Sequence, residues 1–246
     1  MQKLFAGTSG FAYKQWKGPF YPEKLADAKM LAYYGEHFRS VEINNTFYRM
    51  PRENVLRDWA ASVPDDFRFV LKASRHVTHL KRLKDPQPVE YFLKVAAALA
   101  EKRGPFLFQL PPNMKKDLER LRTFLSWLPR DVRAALEFRH ESWHDEDVFA
   151  ALREHNAALC IAQSEEEEDA LQTPFVATAD WAYLRLRKVA YGPGELEEWA
   201  QRIRGPAWGD VFVFFKHEDE GTGPKLAKQF ESIVASGEGP DPVRDR

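Results

Sequence analysis

The side chains best suited to chemistry in this 246-residue chain are charged or amide groups at every second position near the ends of apolar stretches. Glu42 and Asn44 end one such stretch, and Glu137 and Arg139 end another. Carboxylates can exchange protons with a substrate, whereas arginine can hold phosphate or carboxylate groups through two hydrogen bonds. The pattern therefore predicts either a proton-transfer site for an anionic substrate or a set of internal ion pairs.

These side chains form one site only if the stretches that carry them end at the same place. Eight apolar stretches have the length of a strand, at residues 4–10, 41–48, 68–74, 106–110, 133–139, 158–164, 182–187 and 211–217. Most of them are separated by segments that have the apolar spacing of a helix or residues typical of helix ends. These segments are residues 22–37, 51–62, 88–103, 115–128, 145–156, 194–204 and 224–235. In the sixth connection, residues 164–180, we expect at most a helical turn.

Strict alternation of strand and helix predicts parallel strands, and eight such units in about 250 residues match an α/β fold of the (β/α)₈, TIM-barrel-like type. The loops after the first and third strands are long. An open doubly wound sheet is the alternative, but the first turn, GTSGF, lacks the G-x-G-x-x-G pattern of dinucleotide binding. We expect one domain over residues 1–236 and a flexible tail, rich in Gly and Pro, over residues 237–246.

The balanced charge of the chain limits its partners. Lysine and arginine number 36 against 37 aspartates and glutamates, so bulk attraction to nucleic acid is absent and any anion site must be local. No stretch approaches the roughly 18 to 20 apolar residues of a spanning helix, and MQKLFAGTSG lacks the apolar run of a signal peptide. We therefore expect no membrane partner and a cytoplasmic location. Cys160, the only cysteine, lies in the apolar run ALCIA and is expected to be a buried hydrophobe.

In a barrel, alternate side chains point into the interior and toward the helices, and active sites gather at the carboxyl ends of the strands. The polar positions would then share the interior face, while neighbours such as Ile43 and Leu186 face the helices. Two carboxylates, Glu42 and Glu137, would meet four cations, namely Lys72, Arg139, Arg185 and Arg187. This surplus of positive charge predicts a small anionic ligand, such as a phosphorylated sugar or a nucleotide. The two glutamates would serve as an acid/base pair across the mouth or as ionised counter-ions.

The loops at the same end of the strands carry further candidates. After the first strand, Tyr13 and Trp16 belong to an aromatic-rich loop that either binds a ligand or packs on the barrel. After the third strand, residues 74–88 carry a basic stripe that includes His76. This stripe makes contact with nucleic acid the main alternative function.

The seven histidines show no H-x-H or H-E-x-x-H spacing, and no G-x-S-x-G or phosphate-loop signature is present. We therefore predict no cofactor. A divalent ion held by His76, His217 and the two glutamates is the alternative, as in a metal-assisted sugar isomerase or hydrolase. The eighth strand ends in Lys216 and His217, of which one would point inward.

Several motifs taken together resemble a known family. GTSGFAYKQWKGPFYP, VEINNTFYRMP, THLKRL, FQLPP and LEFRHESW occur in the order typical of the YecE-like family, domain-of-unknown-function family 72, over nearly the whole chain. The resemblance implies a TIM-barrel-like fold, similar to sugar isomerases and endonuclease-type barrels, with no settled reaction. It also implies a set of family-typical positions, which are Glu42, Asn44, Tyr48, Gln109, Glu137, Arg139 and Trp143.

The chain departs from the family pattern at its last two strands. Many members have an arginine, one residue and then His-Gly at the seventh strand, where this chain reads RLRKVAY. Members often have asparagines near the end of the eighth strand, where this chain reads FFKHED. The roles of those residues do not carry over, and Arg187 and Lys216 make this mouth more cationic.

We therefore predict an enzyme of isomerase or hydrolase type, with Glu42, Glu137 and Lys72 as its catalytic groups. The predicted ligand-binding residues are Asn44, Tyr48, His76, Gln109, Arg139, Trp143, Arg185, Arg187, Lys216, Tyr13 and Trp16. A nucleic-acid-binding or endonuclease-like barrel is the main alternative.

Overall fold

The eight predicted strands are present and pair in parallel within one sheet. The computed structural model describes residues 2–164, 171–216 and 220–237. The strands are β1 (Lys3–Thr8), β2 (Ser40–Ile43), β3 (Arg68–Lys72), β4 (Arg103–Gln109), β5 (Ala134–Glu137), β6 (Ala158–Ser164), β7 (Trp181–Arg187) and β8 (Asp210–Phe215). Their order across the sheet is β1-β8-β7-β6-β5-β4-β3-β2, which leaves β1 and β2 at its two ends.

The two end strands approach each other and nearly close the barrel. Ser9 and Glu42 form a single parallel bridge between them. The hydroxyl of Tyr34 accepts a hydrogen bond from a β1 amide and donates one to the carbonyl of Ser40 over 3.1 Å. Gly7 permits this approach, because a Cβ at that position would overlap the Ser40 carbonyl oxygen. The fold is therefore the predicted α/β barrel and not an open doubly wound sheet.

Helices alternate with the strands in the described part of the chain, except in the described part of the connection between β6 and β7. They are α1 (Met30–His37), α2 (Glu53–Ala61), α3 (Pro86–Ala96), α4 (Leu118–Ser126), α5 (Glu146–Glu154), α6 (Pro193–Arg204) and α7 (Thr222–Ser236). The side chains of Asp85, Asp117 and Asp145 accept backbone hydrogen bonds at the starts of α3, α4 and α5. Such caps satisfy amide groups that the first turn leaves without partners.

Some helix boundaries differ from the predicted ones. The segment expected to be helical from residue 22 begins its α-helix only at Met30, because a turn bonds the Leu25 amide to the Pro22 carbonyl. The helix expected to reach residue 103 ends at Ala96, and Ala100 has a φ of 49° that an α-helix does not contain. Residues 171–178 carry no helix, and residues 165–170 of the same connection lie outside the described ranges.

Two apolar clusters divide the core in the way that the alternation of side chains predicts. One fills the barrel interior, where the rings of Phe5 and Phe212 stack with centroids 4.6 Å apart and Cys160 is fully buried. The other lies between the strands and the helices and includes the predicted helix-facing residues Val41, Ile43, Leu71, Ala73, Leu110, Leu136, Phe138, Leu184 and Leu186. The alternate positions on the same strands are therefore left to the interior and the mouth.

Among the described residues, no helix combines the length and the apolar character needed to cross a bilayer. The predicted tail beyond residue 237 lies outside the described ranges.

Candidate functional site at the barrel mouth

Arg185 joins the two predicted carboxylates at the carboxyl end of the barrel. Its Nη2 lies 2.8 Å from Glu42 Oε1, and its Nη1 lies 2.7 Å from Glu137 Oε2. All three side chains are buried, with exposed fractions of 3% or less. The glutamates on β2 and β5 therefore face each other as predicted, with a guanidinium group between them.

Glu42 is surrounded by donors. Tyr183 donates its hydroxyl to Oε2 over 2.6 Å, while Ser9 and Asn44 donate to Oε1 over 2.8 and 3.1 Å. Burial acts to raise the pKa of Glu42, but the charge of Arg185 and these hydrogen bonds hold it below its ordinary value. Glu42 is therefore an ionised counter-ion in the resting structure.

Glu137 has an even more cationic setting. Oε1 accepts a hydrogen bond from Gln109 over 2.9 Å and lies 3.2 Å from Nη2 of Arg187 and 3.5 Å from Nε of Arg139. Burial acts to raise the pKa of this carboxyl, but the charges of Arg185, Arg187 and Arg139 hold it far below the ordinary value. Of the two roles that the sequence leaves open for the glutamates, the geometry favours that of ionised counter-ions.

Lys72, at the end of β3, has a different kind of partner. Its Nζ donates to Oε1 of Gln109 over 2.8 Å and lies 4.4 Å from the centre of the Phe47 ring. Burial lowers the pKa of Lys72 to about 8, and the charge of Arg185 acts in the same direction. The Lys72 amine therefore loses its proton more readily than an exposed lysine does.

The amide of Gln109 links Lys72 to Glu137 in one orientation only. An ammonium group can only donate and an ionised carboxylate can only accept, so Oε1 must face Lys72 and Nε2 must face Glu137. Gln109 lies directly beside Glu137 in the β4–β5 register, and its side chain is 5% exposed. The predicted ligand-binding residue Gln109 therefore connects two charged groups within the site.

Four of the predicted cations lie with the two predicted carboxylates among the described mouth residues. Lys72 and Arg139 are half-buried, and Arg185 and Arg187 are buried, beside the two buried carboxylates. Next to Glu137, a cavity of about 20 Å³ is lined by Arg139, Arg187 and residues 171 and 173, which is room for about one water molecule. A larger anion would therefore meet Arg139, whose side chain is 22% exposed, from the outer side.

Aromatic and histidine side chains form the rim beside Lys72. Tyr48 is 72% exposed and packs edge-to-face on Phe47, with centroids 5.0 Å apart. His79 packs on the other side of Phe47 at 4.9 Å, and burial together with the charges of Lys72 and Arg139 lowers its pKa. His76, the histidine that the sequence favoured, is exposed on the same helical turn.

Three other predicted residues occupy different settings. Trp16 is 1% exposed in the helix-side core, and its ring lies 4.7 Å from that of the half-buried Tyr13. Trp143 is fully buried, stacks on Phe138 at 4.8 Å and donates its indole N–H to the Met114 carbonyl. These contacts fit packing roles for the two tryptophans, because burial of a large ring is itself strongly stabilising.

Asn44 and Lys216 complete the predicted set. Asn44 donates to Glu42, and its Oδ1 is buried without a hydrogen-bond partner in the described part of the chain. Lys216 is half-buried at the end of β8, and His217 lies outside the described ranges. Asn44 Oδ1 is thus an acceptor that a ligand donor could satisfy.

The site also contains residues that were not predicted from the sequence to lie there, namely Tyr183, Ser9, Phe47, His79 and Cys160. The Cys160 Sγ is 4.0 Å from Glu137 Oε2. The position of Tyr183 could be predicted from the sequence, since it precedes Arg185 by two residues and so lies on the same face of β7. In residues 2–164, 171–216 and 220–237, no group of three or more His, Cys, Asp or Glu side chains is arranged to hold a metal ion.

The family model and the curated relatives that match this chain all indicate one family. A family model described as "Protein of unknown function DUF72" matches residues 5–245. The UPF0759 protein YunF of Bacillus subtilis is 32% identical over 254 residues, which cover 87% of this chain and 89% of YunF. The UPF0759 protein YecE of Escherichia coli K12 is 34% identical over 109 residues, a match that spans 44% of this chain and only 40% of YecE.

Solved structures agree on the architecture. A DUF72 family protein from Thermotoga maritima is 28% identical with a TM-score of 0.82, over 95% of this chain and 99% of that one. A DUF72 family protein from Enterococcus faecalis is 18% identical with a TM-score of 0.76, over 100% and 99% of the two chains, which is a likeness of fold alone.

Proposed function

Since the chain belongs to the DUF72 family of α/β barrels, we propose that the carboxyl-end mouth of its barrel binds and transforms a small anionic ligand. A phosphorylated sugar or a nucleotide would carry the required charge. Active sites of parallel barrels gather at this end of the strands, where loops can vary without loss of the frame.

The charge balance of the mouth carries this proposal. Arg185 binds Glu42 and Glu137 through its two terminal nitrogens, and Arg139 and Arg187 also lie beside Glu137. With Lys72, four cations therefore meet two carboxylates in the described part of the mouth. Charges in a half-buried site are costly unless opposite charges balance them. An anion that enters the mouth would lower that cost, and arginine is suited to contact phosphate or carboxylate oxygens.

We assign the proton-transfer role within this proposal to Lys72. A catalytic acid or base works best with a pKa near the working pH, and the pKa of Lys72 is about 8. The two glutamates are ionised and bound to arginine, so they serve to position cations. Turnover would be of the isomerase or hydrolase type, with the ligand held between Arg139 and Lys72.

Ligand-induced stabilisation tests the proposal directly. Sugar phosphates, nucleotides, the parent sugars and nucleosides, and divalent cations would be screened for an increase in Tm. A ligand at 100 times its Kd stabilises the native state by about 2.7 kcal/mol, which gives a clear rise in Tm. We expect stabilisation by phosphorylated compounds and none by their uncharged parents; equal responses from both groups would reject the anion site.

Contact with nucleic acid is the second candidate, and one observation favours it. Arg75, His76, Lys81 and Lys84 are exposed in the loop after β3, and the apolar side chain of Leu80 is 57% exposed among them. Binding of single-stranded oligonucleotides would then fall steeply as salt increases. Absence of binding in low salt would remove this candidate.

A further inference from the structure

We propose that Lys72 is a nucleophile that forms an imine with the carbonyl group of an aldehyde or ketone carrying a carboxylate or phosphate. The inference rests on the proposed function, because the anionic group would be held by the cations of the same mouth. It goes further by naming the substrate class and a covalent step, which for these substrates replaces the proton-transfer role of Lys72.

The surroundings of Lys72 favour the unprotonated amine that such a step requires. Its Nζ donates to the neutral amide of Gln109 and, among the residues that the structure describes, to no carboxylate. Glu42 and Glu137, the nearby carboxylates, are each bound to Arg185 over 2.8 and 2.7 Å. A half-buried amine with cationic neighbours loses its proton more readily than an exposed lysine, which activates it as a nucleophile.

The position of Lys72 also suits attack on a bound ligand. It lies at the carboxyl end of β3, where the mouth opens, and its side chain is partly exposed. The Phe47 ring covers Nζ on one side at 4.4 Å. A carbonyl compound would therefore approach Nζ from a side that this ring does not cover. Arg139, whose charge also lowers the pKa of Lys72, is a nearby cation that could contact the anionic group.

The chemistry balances without an oxidant or a reductant. The nitrogen lone pair forms a bond to the carbonyl carbon, the carbonyl π electrons move to oxygen, and a proton passes from nitrogen to that oxygen. The resulting carbinolamine then loses its hydroxyl group together with the second amine proton as water. The products are one imine and one water molecule, and the imine withdraws electrons from the adjacent carbon.

Lys102 is a matched control for this reaction. Its side chain is 15% exposed, so it is also largely covered. Its Nζ donates to the carbonyls of Ala60 and Val63 and lies 3.3 Å from Asp65 Oδ1, so its donors are already engaged. Lys72 and Lys102 are both largely covered, but their amines have different partners. Faster labelling of Lys72 would therefore reflect activation of its amine and not its accessibility.

Reductive trapping tests the proposal on the full chain. The protein is incubated at pH 8 with glyoxylate, with glycolaldehyde phosphate or with uncharged propanal, then treated with borohydride, and the modified lysines are found by peptide mass spectrometry. We expect the two anionic probes to label Lys72 at least about tenfold faster than Lys102, because the Lys102 Nζ is held by two carbonyls and lies beside Asp65, whereas Lys72 lies at the barrel mouth. Labelling of Lys72 should have its midpoint near pH 8, and glyoxylate should exceed propanal at this site.

Two variants identify the reactive group. Lys72→Arg keeps the charge and should lose the label, whereas Lys102→Arg should leave labelling of Lys72 unchanged. Stabilisation by anions with no trapped adduct at Lys72 would overturn the imine and leave anion binding standing. Equal labelling by propanal and glyoxylate would overturn the anionic substrate class, and absence of stabilisation by every anion would reject the proposed function instead.

Discussion

Glu42 and Glu137, on opposite sides of the barrel mouth, share the single guanidinium group of Arg185, at 2.8 and 2.7 Å. Both carboxylates are almost completely buried, and Arg185 is the cation that they share, although Glu137 also lies beside Arg187 and Arg139. The two negative charges would repel each other without it, and neither could reach bulk water.

The first prediction concerns Arg185 itself. Arg185→Leu should lower the free energy of unfolding by about 3 to 5 kcal/mol, because it leaves two buried carboxylates without their shared partner. Urea denaturation would measure the change. The control is Arg57→Leu, which removes an exposed ion pair with Glu53 and should cost less than about 1 kcal/mol. Equal effects of the two substitutions would contradict the central role of Arg185.

The second prediction concerns the hydroxyl of Tyr183, which donates to Glu42 over 2.6 Å. Tyr183→Phe should destabilise the fold by about 1.5 to 3 kcal/mol, the range for hydrogen bonds to a charged group. Tyr48→Phe removes a hydroxyl from a ring that is 72% exposed, so it should leave stability nearly unchanged. The same denaturation assay compares the two, and a neutral Tyr183→Phe would show that Glu42 does not need this donor.

The third prediction uses the titration of Lys72. Its pKa is about 8 in the folded chain and about 10.4 in an unfolded chain. Between these values the unfolded state binds more protons, so Lys72 makes stability rise as pH increases from about 8 to about 10.4. The difference in unfolding free energy between wild type and Lys72→Met should follow that rise, since other groups cancel in the comparison. If the difference in unfolding free energy is constant over this pH range, the pKa of Lys72 is not lowered in the folded chain.

The fourth prediction separates ligand contact from structural support. Arg139→Gln should weaken binding of the stabilising anion by about 10- to 150-fold, because one charge-assisted hydrogen bond is worth about 1.5 to 3 kcal/mol. Its side chain is partly exposed, so unfolding free energy should change much less than in Arg185→Leu. Ligand titrations followed by Tm would give both quantities. Unchanged affinity would place the anion elsewhere.

The fifth prediction addresses Trp143, whose indole N–H bonds to the Met114 carbonyl over 2.6 Å. Trp143→Phe should lower stability by about 1 to 3 kcal/mol, because a buried carbonyl loses its donor. The affinity for the anion should stay within about twofold of wild type, as expected for a packing residue. Loss of affinity in a stable variant would instead support the ligand-binding role that the sequence suggests.

Alternation along strands predicts much of this site, because a parallel barrel has only an inner and a helix-facing side for each residue. Glu42, Gln109, Glu137 and Arg185 follow from that rule alone. It cannot say which cation balances which carboxylate, since β2, β5 and β7 are brought together only by the closed barrel. Tyr183 obeys the same rule, yet a tyrosine at an interior position fits a packed core equally well.

The alternation of side chains along strands does not extend into the loops. The turn from His76 to Leu80 is a wide helical turn, so the period of two that holds along β3 does not continue into it. His79 and not His76 consequently contacts Phe47. In the loop after β1, burial of apolar area decides the outcome, and Trp16 packs in the core. Aromatic composition alone does not distinguish such packing from a ligand surface.

Because of the bridge between Ser9 and Glu42, Glu42 both holds β1 to β2 and binds Arg185 in the mouth. Where β1 meets β2, the backbone joint is reinforced by the Ser9 hydroxyl, which donates to the same Glu42 oxygen that binds Arg185. Glu137, by contrast, sits on a strand with ladders to both neighbours. Changes at Glu137, Arg139 or Lys216 can therefore alter the chemistry of the mouth without affecting the contact between β1 and β2. A change at Glu42 acts on the seam as well, so this position has the least freedom to evolve a new specificity.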